Sequence, residues 1–302
     1  MKSSASVTCS LLLLLGSVTA CWEKAPVTPG ERSQNFQTVP ERYPVAPGLV
    51  DEASGLADSR TISGYLWTHE DAGSPAELFL LSHDGKDVRR YALPGISNID
   101  WEDIAVGGGP EKGVSYIYVA DIGNNDASPA FGTHTIYRLP ELKKLEEGFV
   151  ADKIAKIRFR YPDSTPDAET LLLDPITNDL FIVTKELEGA RLYRLPNPQS
   201  TEGTMTAELI GNVPALLLAT GGDISADGQE ILIRNYTNIY YWKRKAGETI
   251  GLTLMREATK PVPYALEPQG EAVCFDREMK GYYTFSEKRN AAGVALQYFG
   301  RR

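Results

Sequence analysis

Short apolar runs, rich in aromatic and β-branched residues, recur along the chain after residue 50. The clearest runs are GYLWTHE, SYIYVAD, DLFIVTK, EILIRNY and GYYTFSE. Dipeptides typical of hairpin turns separate strands, namely Asp84-Gly85, Asn178-Asp179 and Asp227-Gly228. Only PELKKLEE (140–147) has a helical pattern, and it is one or two turns long. The pattern therefore predicts an all-β protein built from many short strands.

A polar motif precedes each of the five runs, and the motifs form a repeat. They read DEASGLADS, DWEDIAVGG, DAETLLLDP, GGDISADG and GEAVCFDRE. Equivalent positions are taken by Ser54, Glu102, Glu169, Asp223 and Glu271, which follow one another at intervals of 48 to 67 residues. Repeats of about 40–50 residues that hold several strands each are typical of β-propellers.

Each repeat is predicted to form one blade of four antiparallel strands, with the acidic motif innermost and the aromatic run second. The outer strands of the third and fourth blades are predicted at MTAELIGNV (205–213) and LTLMREATK (252–260). The last repeat lacks an outer strand, so residues 34–45 are predicted to supply it and close the ring. The sequence thus predicts one five-bladed propeller, or six blades if the long second repeat holds two. A β-sandwich is the alternative.

The first 48 residues carry signals for export. Lys2, the apolar run Leu11–Leu15 and the small residues up to Ala20 predict a signal peptide over residues 1–20. The apolar run is shorter than the ~20 residues that a spanning helix needs. Cys21 follows small residues as in the lipobox of bacterial lipoproteins, which predicts lipidation. The alternative is a secreted protein in which Cys21 is a free thiol.

Residues 21–48 are predicted to form a proline-rich tether, and residues 49–302 the propeller domain. Trp22 stands where an aspartate would favour retention in the inner membrane, so the expected location is the outer membrane, facing the periplasm or the cell surface. The formal net charge is −9, with no basic stripe. Nucleic acid is therefore excluded as an expected partner, and membrane attachment is expected through the lipid at Cys21.

Antiparallel pairing places the starts of the inner strands and the ends of the second strands at one face, around the mouth of the central channel. The inner strands bring seven carboxylates there: Glu52, Asp100, Glu102, Asp167, Glu169, Asp223 and Glu271. The second strands add His69, Glu70, Asp71, Asp121, Asn124, Asn125, Lys185, Glu186, Arg234, Asn235, Ser286 and Glu287. This convergence of polar groups from five blades predicts a functional site.

So many carboxylates cannot all stay charged without compensation. Ca²⁺ could be held by their oxygens, Lys185 and Arg234 could neutralise part of the charge, or some carboxyls could stay protonated, as general acid catalysis requires. The structural alternative is that the acids accept backbone N–H bonds and tie blades together. His69 is the histidine placed at the mouth and is a candidate general base. Serine-hydrolase elbows, zinc-protease motifs and paired cysteines are absent from the sequence.

Six motifs between residues 50 and 290 together resemble a group of secreted bacterial β-propeller lipoproteins: DEASGLADSR, IDWEDIA, YVADIGNN, DAETLLLDP, IVTKE and LIRNY. More distantly, the pattern is similar to the calcium-dependent propeller hydrolases of the gluconolactonase, SMP-30 and paraoxonase type, and to phytase-like esterases. Lactonases of that type hold Ca²⁺ on the axis with Glu, Asn and Asp residues at inner-strand starts. The resemblance implies a comparable ligand set here: Glu52, Asp100, Asp121, Asp167, Asp223 and Glu271. This chain has more acids and fewer axial asparagines than the lactonases.

Two functions are consistent with these features. The first is a lipid-anchored propeller that uses bound Ca²⁺ to hydrolyse an ester, lactone or phosphoester. Its candidate catalytic residues are Glu102, Glu169, His69, Lys185 and Arg234. The second is a non-enzymatic binding or scaffold lipoprotein of the cell envelope, with structural acids and a partner site on the outer rim.

Overall fold

The computed structural model describes residues 35–124 and 132–302. The predicted signal peptide, Cys21 and Asn125 lie outside these residues. Twenty strands of the described part form five sheets arranged as a five-bladed β-propeller, so the predicted fold is confirmed. In the described part, no helix is long and apolar enough to cross a membrane.

The strands follow the predicted blade order. Strand β1 (Glu41–Val45) belongs to the last blade. Blade 1 contains β2 (Ala53–Asp58), β3 (Tyr65–Glu70), β4 (Glu77–Ser82) and β5 (Val88–Ala92). Blade 2 contains β6 (Trp101–Gly107), β7 (Tyr116–Asp121), β8 (His134–Pro140) and β9 (Ala155–Arg160), with a 3₁₀ turn at Ala151–Lys153.

Blade 3 contains β10 (Ala168–Leu173), β11 (Leu180–Thr184), β12 (Arg191–Leu195) and β14 (Glu208–Asn212). The short β13 (Thr204–Thr206) pairs in parallel with β9 of blade 2. Blade 4 contains β15 (Gly221–Ile224), β16 (Glu230–Arg234) and β17 (Ile239–Lys243), followed by helix α1 (Ile250–Leu254). Blade 5 contains β18 (Gln269–Phe275), β19 (Gly281–Glu287), β20 (Val294–Gly300) and β1.

The ring is closed by the N-terminal strand, as predicted. Strand β1 pairs with β20, and Glu41 lies opposite Tyr298. Phe36, just before β1, is fully buried and contacts the ring of Tyr282 with centroids 4.9 Å apart. The propeller therefore begins before residue 49, and the predicted domain boundary is too late because residues 35–45 belong to blade 5.

Blade 4 departs from the prediction. The stretch 252–260 does not form a fourth strand; its first residues complete α1 instead. The Thr249 hydroxyl oxygen accepts a hydrogen bond from Leu252 N and caps the helix, while Ile250 and Leu254 are buried on one side. This spacing of four residues suits a helix better than a strand. The helix predicted at 140–147 is not formed.

A β-bulge marks the start of four of the five inner strands. The extra residue is Ser54, Glu102, Glu169 or Glu271 in blades 1, 2, 3 and 5. Blade 4 has no bulge, because Gly221, Gly222 and Asp223 pair with three consecutive residues of β16. Bulges redirect side chains and are common beside active sites. The four bulge positions agree with the repeat predicted from the sequence.

Apolar side chains pack between adjacent blades and keep the inner strands rigid. Trp67 of blade 1 and Trp101 of blade 2 are both fully buried in one core cluster that also contains Ile104 and Leu78. The carboxylates at the channel mouth thus stand on a close-packed frame, whose small voids limit side-chain movement.

Candidate functional site

A cavity of about 330 Å³ opens at the predicted channel mouth. Its lining comes from all five blades, as the repeat requires. It includes Glu52, Asp71, Glu102, Glu169, Lys185, Tyr236, Gln269, Glu271, Glu287 and Arg289. We call this space the mouth cavity.

Five carboxylates on one side of the mouth form two overlapping groups, and the three members of each group come close enough to share a cation. Asp71, Asp100 and Glu102 form one group, and Glu102, Asp167 and Glu169 form a second, with one oxygen of each residue within 4.8 Å of the others in its group. We call these five residues the acid cluster. Glu102 belongs to both groups and is the centre of the cluster.

One buried oxygen of the Glu102 carboxylate has no hydrogen-bond donor among the described residues. Glu102 is only 3% exposed, and its Oε1 is buried without a hydrogen-bond donor among the described residues. A buried charged oxygen is costly unless it is paired. The cluster therefore fits a divalent cation, since Ca²⁺ prefers several carboxylate oxygens.

Neighbouring strands hold the acid cluster in place. The bulge in β6 carries Glu102, and its carbonyl oxygen accepts a hydrogen bond of 2.8 Å from the Ser54 hydroxyl of blade 1. Asp167 Oδ1 accepts a hydrogen bond of 2.8 Å from Asn124 N, which connects blade 3 to the segment after β7. The carboxylates are thus oriented by backbone contacts between blades.

Gly123 packs directly against the acid cluster, so we expect Gly123→Ala to disrupt cation binding. An added Cβ would overlap Glu102 Oε1 and lie 2.5 Å from Asp100 Oδ2, so one of these groups must move. We expect at least a tenfold loss of Ca²⁺ affinity, measured by calorimetric titration. Gly132→Ala is the matched control because its Cβ meets nothing within 4 Å. Equal Ca²⁺ affinity in both variants would contradict this packing role.

Burial shifts the protonation of the mouth carboxyls. Burial raises the pKa of Glu169 to about 8, although the charge of Lys185 opposes the shift. Burial, with the neighbouring acid Glu169 adding to it, also raises the pKa of Glu102 well above its usual range. Burial and the adjacent Glu287 raise the pKa of Glu271 to about 9. Without a bound cation, several of these groups hold protons at neutral pH.

These shifts predict that the cation-free protein loses stability as the pH rises. Raised pKa values mean that the folded protein binds more protons than the unfolded chain between the ordinary glutamic acid value of 4.5 and about pH 9. The free energy of unfolding therefore falls across this window. Urea unfolding in EDTA at pH 5, 7 and 9 measures it.

Glu271→Gln should flatten this pH dependence, because it removes one raised group. The exposed Glu111→Gln is the control and should leave the profile unchanged. Added Ca²⁺ should reduce the loss at high pH, since it compensates the ionised carboxylates. A stability profile that rises from pH 5 to 9 in EDTA would refute the prediction.

Lys185 lies at the mouth as predicted. Its ammonium group pairs with Glu169 and stands 5.4 Å from the ring centre of Tyr236. Burial lowers the pKa of Lys185, but the negative charge of Glu169 outweighs it and the net shift is upward. Lys185 therefore remains a cation beside the acid cluster.

Two predicted catalytic residues do not reach the mouth cavity. Arg234 is fully buried and pairs with Glu267 at 2.8 Å, so its charge is used inside the fold. His69 is also fully buried; its Nδ1–H donates to Glu70 O, and its ring lies edge-on to Trp101. Burial lowers the pKa of His69 to about 4, which leaves it neutral. Neither residue lines the cavity.

Two predicted metal ligands also have structural surroundings. Asp223 accepts hydrogen bonds from Ile224 N and Phe275 N and lies in the channel towards the face opposite the mouth, beside Asp58. The absence of a bulge in β15 explains this position. Without the extra residue, Asp223 takes the register position that Ile104, and not Glu102, occupies in blade 2. Asp121 accepts a hydrogen bond of 2.9 Å from Asp100 N and so supports the acid cluster from behind.

The remaining predicted ligands divide between the two sides of the mouth. Asp100 and Asp167 belong to the acid cluster, whereas Glu52 and Glu271 line the cavity outside it. Asp71 follows β3, the second strand of blade 1. The sequence predicted it at the mouth but not among the metal ligands. Tyr236, Gln269 and Arg289 were missed, since each lies in or beside a connection whose path the repeat does not determine.

No protein-family model matches the chain, and no curated protein sequence matches it. Solved structures with weak similarity in fold include the following three. A putative glucose dehydrogenase-type oxidoreductase from Thermus thermophilus is 11% identical over 86% of this chain and 99% of its own, with a TM-score of 0.46. Aldose sugar dehydrogenase from Streptomyces coelicolor is 12% identical over 88% and 100%, with a TM-score of 0.47. A luciferin-regenerating enzyme is 13% identical over 86% and 95%, with a TM-score of 0.45. Similarities this weak carry no argument about chemistry.

Proposed function

We propose that the acid cluster binds Ca²⁺ and that the mouth cavity hydrolyses an ester, lactone or phosphoester. The buried, unpartnered Oε1 of Glu102 amid four further carboxylates carries the proposal. Glu102 would hold the ion together with Asp71 and Asp100 or with Asp167 and Glu169, the two groups in which the oxygens lie close enough. A bound divalent cation would polarise a substrate oxygen and activate water.

The other side of the cavity supplies proton and hydrogen-bond chemistry. Glu271 and Glu287 are both buried, and each affects the pKa of the other through a hydrogen bond between their carboxyl groups. Gln269 Nε2 donates to Glu271 Oε1 at 2.7 Å and fixes its orientation. This pair holds a proton that a leaving alkoxide needs. Lys185 and Tyr236 would orient the substrate through their donors.

Thermal unfolding in EDTA and in excess Ca²⁺ tests the cation site. A ligand at one hundred times its dissociation constant stabilises by about 2.7 kcal/mol, so we expect Ca²⁺ to raise the Tm by roughly 5–10 °C. Glu102→Gln should abolish the shift. Glu52→Gln, which changes an exposed acid outside the cluster, should keep it. An unchanged Tm in Ca²⁺ and EDTA would refute calcium binding.

A substrate screen tests the catalytic part separately. Esters, lactones and phosphoesters are incubated with the native protein and with Glu102→Gln and Glu271→Gln. We expect hydrolysis by the native protein and a loss of at least one hundredfold in either variant. Calcium binding without hydrolysis of any class would refute the enzyme proposal and leave the cation site standing.

We also propose that Cys21 is lipidated and that the protein is attached to the outer membrane. The signal and lipobox motifs of residues 1–21 support this proposal. Metabolic labelling with a radioactive fatty acid tests it, because Cys21→Ser should remove the label and release the protein from the membrane fraction.

The second candidate is a binding or scaffold function in the cell envelope. Exposed apolar side chains on the connections at the mouth face support it: Leu49, Ile99, Leu187, Leu217 and Leu266. A ring of such residues around a polar cavity suits a protein partner. Loss of partner capture in a Leu187→Asp, Leu266→Asp double variant, with Ca²⁺ binding intact, would favour this function.

A further inference from the structure

A second cavity, of about 420 Å³, lies between blade 3 and α1 and is separate from the mouth. We call it the side cavity. It opens where blade 4 lacks a fourth strand, beside the turn between β10 and β11. Its apolar wall consists of Phe181, Ile210, Ile250, Leu252 and Met255. This size and lining are typical of small-molecule sites.

The acidic side chains of the side cavity are already paired. Asp174 accepts hydrogen bonds from Arg244 Nη1 at 2.9 Å and from the Thr177 hydroxyl at 3.1 Å. Asp179 accepts from Arg194 Nε at 2.9 Å and from Asn197 N at 2.8 Å. These carboxylates therefore have their charge balanced, and they do not call for a cation.

The two arginines have donors left over. Arg244 is nine-tenths buried, and its Nε and Nη1 donate to Glu248 O and Asp174. Its Nη2 donates to no group in residues 35–124 and 132–302, and the same is true of Arg194 Nη2. Both arginines line the cavity, so a carboxylate bound there can accept hydrogen bonds from their remaining N–H groups.

We propose that the side cavity binds a small amphiphilic anion, with a carboxylate facing Arg194 and Arg244 and an apolar body against α1. Guanidinium groups bind carboxylates through paired, charge-assisted hydrogen bonds. Phe181, Leu252 and Met255 supply the surface for an alkyl or aromatic body. Leu252 and Met255 are 58% and 44% exposed, so a ligand would remove apolar surface from water. The proposal is independent of the calcium site.

Calorimetric titration with decanoate tests the proposal, with EDTA present so that the acid cluster holds no cation. We expect saturable binding of one decanoate per chain, and weaker binding of decanol, which lacks the charge. Arg194→Gln should weaken decanoate binding about tenfold and should not affect decanol. Leu252→Asp should weaken both ligands, because it places a charge on the apolar wall.

The matched control is Leu187→Asp, an exposed leucine outside the side cavity, which should bind decanoate normally. Leu252 is exposed, whereas Arg194 is half-buried and pairs with Asp179, so circular dichroism checks that both variants fold. Absence of saturable decanoate binding would overturn the proposal. So would decanoate binding that neither variant changes, or equal binding of decanol and decanoate.

Discussion

Glu267→Leu is expected to destabilise the protein by about 3–5 kcal/mol, the cost typical of leaving one member of a buried ion pair alone. Arg234 is fully buried, and Glu267 is its carboxylate partner at 2.8 Å. The same carboxylate accepts hydrogen bonds from Thr284 and Gln297 of blade 5. The substitution would therefore leave a buried guanidinium charge and two further donors unpaired. Urea unfolding of the native and variant proteins measures the loss.

Comparison with a double variant separates charge from packing. Arg234→Met combined with Glu267→Leu removes the isolated charge, so it should be more stable than Glu267→Leu alone. Glu278→Leu is a surface control, because Glu278 pairs with Lys280 in solvent and such pairs contribute little. If Glu267→Leu cost no more than Glu278→Leu, Arg234 could not depend on this partner.

Asp103→Ala is expected to destabilise the protein by about 2–5 kcal/mol, because two or three buried N–H groups lose their acceptor. Asp103 of blade 2 is fully buried. Its Oδ2 accepts hydrogen bonds from Leu171 N of blade 3 at 2.9 Å and from Gly222 N of blade 4 at 3.3 Å. Its Oδ1 accepts from Ile104 N. One carboxylate thus joins three blades near the axis.

Asp103→Asn should fall between the native protein and Asp103→Ala. Its amide keeps one acceptor oxygen, but the NH₂ group cannot accept the remaining N–H bond. Denaturant unfolding gives the order of the three proteins. If alanine and asparagine were both as stable as aspartate, the contacts between blades would not depend on this carboxylate.

The buried acids divide into two classes by the donors that reach them. Backbone N–H groups satisfy Asp103, Asp121 and Asp223, which therefore hold segments of the fold together. Oε1 of Glu102 receives no such bond among the described residues. The structural explanation, which the sequence raised for all the acids, thus applies to several of them and not to Glu102.

The sequence predicted the repeat well because each blade reuses one local pattern. Four of the five equivalent positions chosen from the motifs are the bulge residues, and Glu102 and Glu169 lie in the acid cluster. The error at Asp223 came from the bulge residue that β15 lacks. The repeat can be aligned even where one copy lacks the bulge residue. The alignment then does not show that the register of β15 against β16 has changed.

The sequence could not predict contacts between residues that lie far apart in the chain. Nothing local to Arg234 indicates that Glu267 neutralises it, because the two residues lie on different segments. Similarly, Leu252 and Leu254 alternate with polar residues as in a strand, whereas burial of Ile250 and Leu254 on one side selects the helix. These outcomes depend on tertiary packing, which overrides local preference.

The pairing of β1 with β20 also determines when the ring can form during synthesis. Glu41 pairs with Tyr298, so β1 can join its blade only after β20 has been synthesised. Until then, blade 5 lacks its outer strand. Such distant pairings slow folding because a long loop must close before the contact is gained. The mouth likewise joins distant parts of the chain, because Glu52 before blade 1 pairs with Glu287 of blade 5.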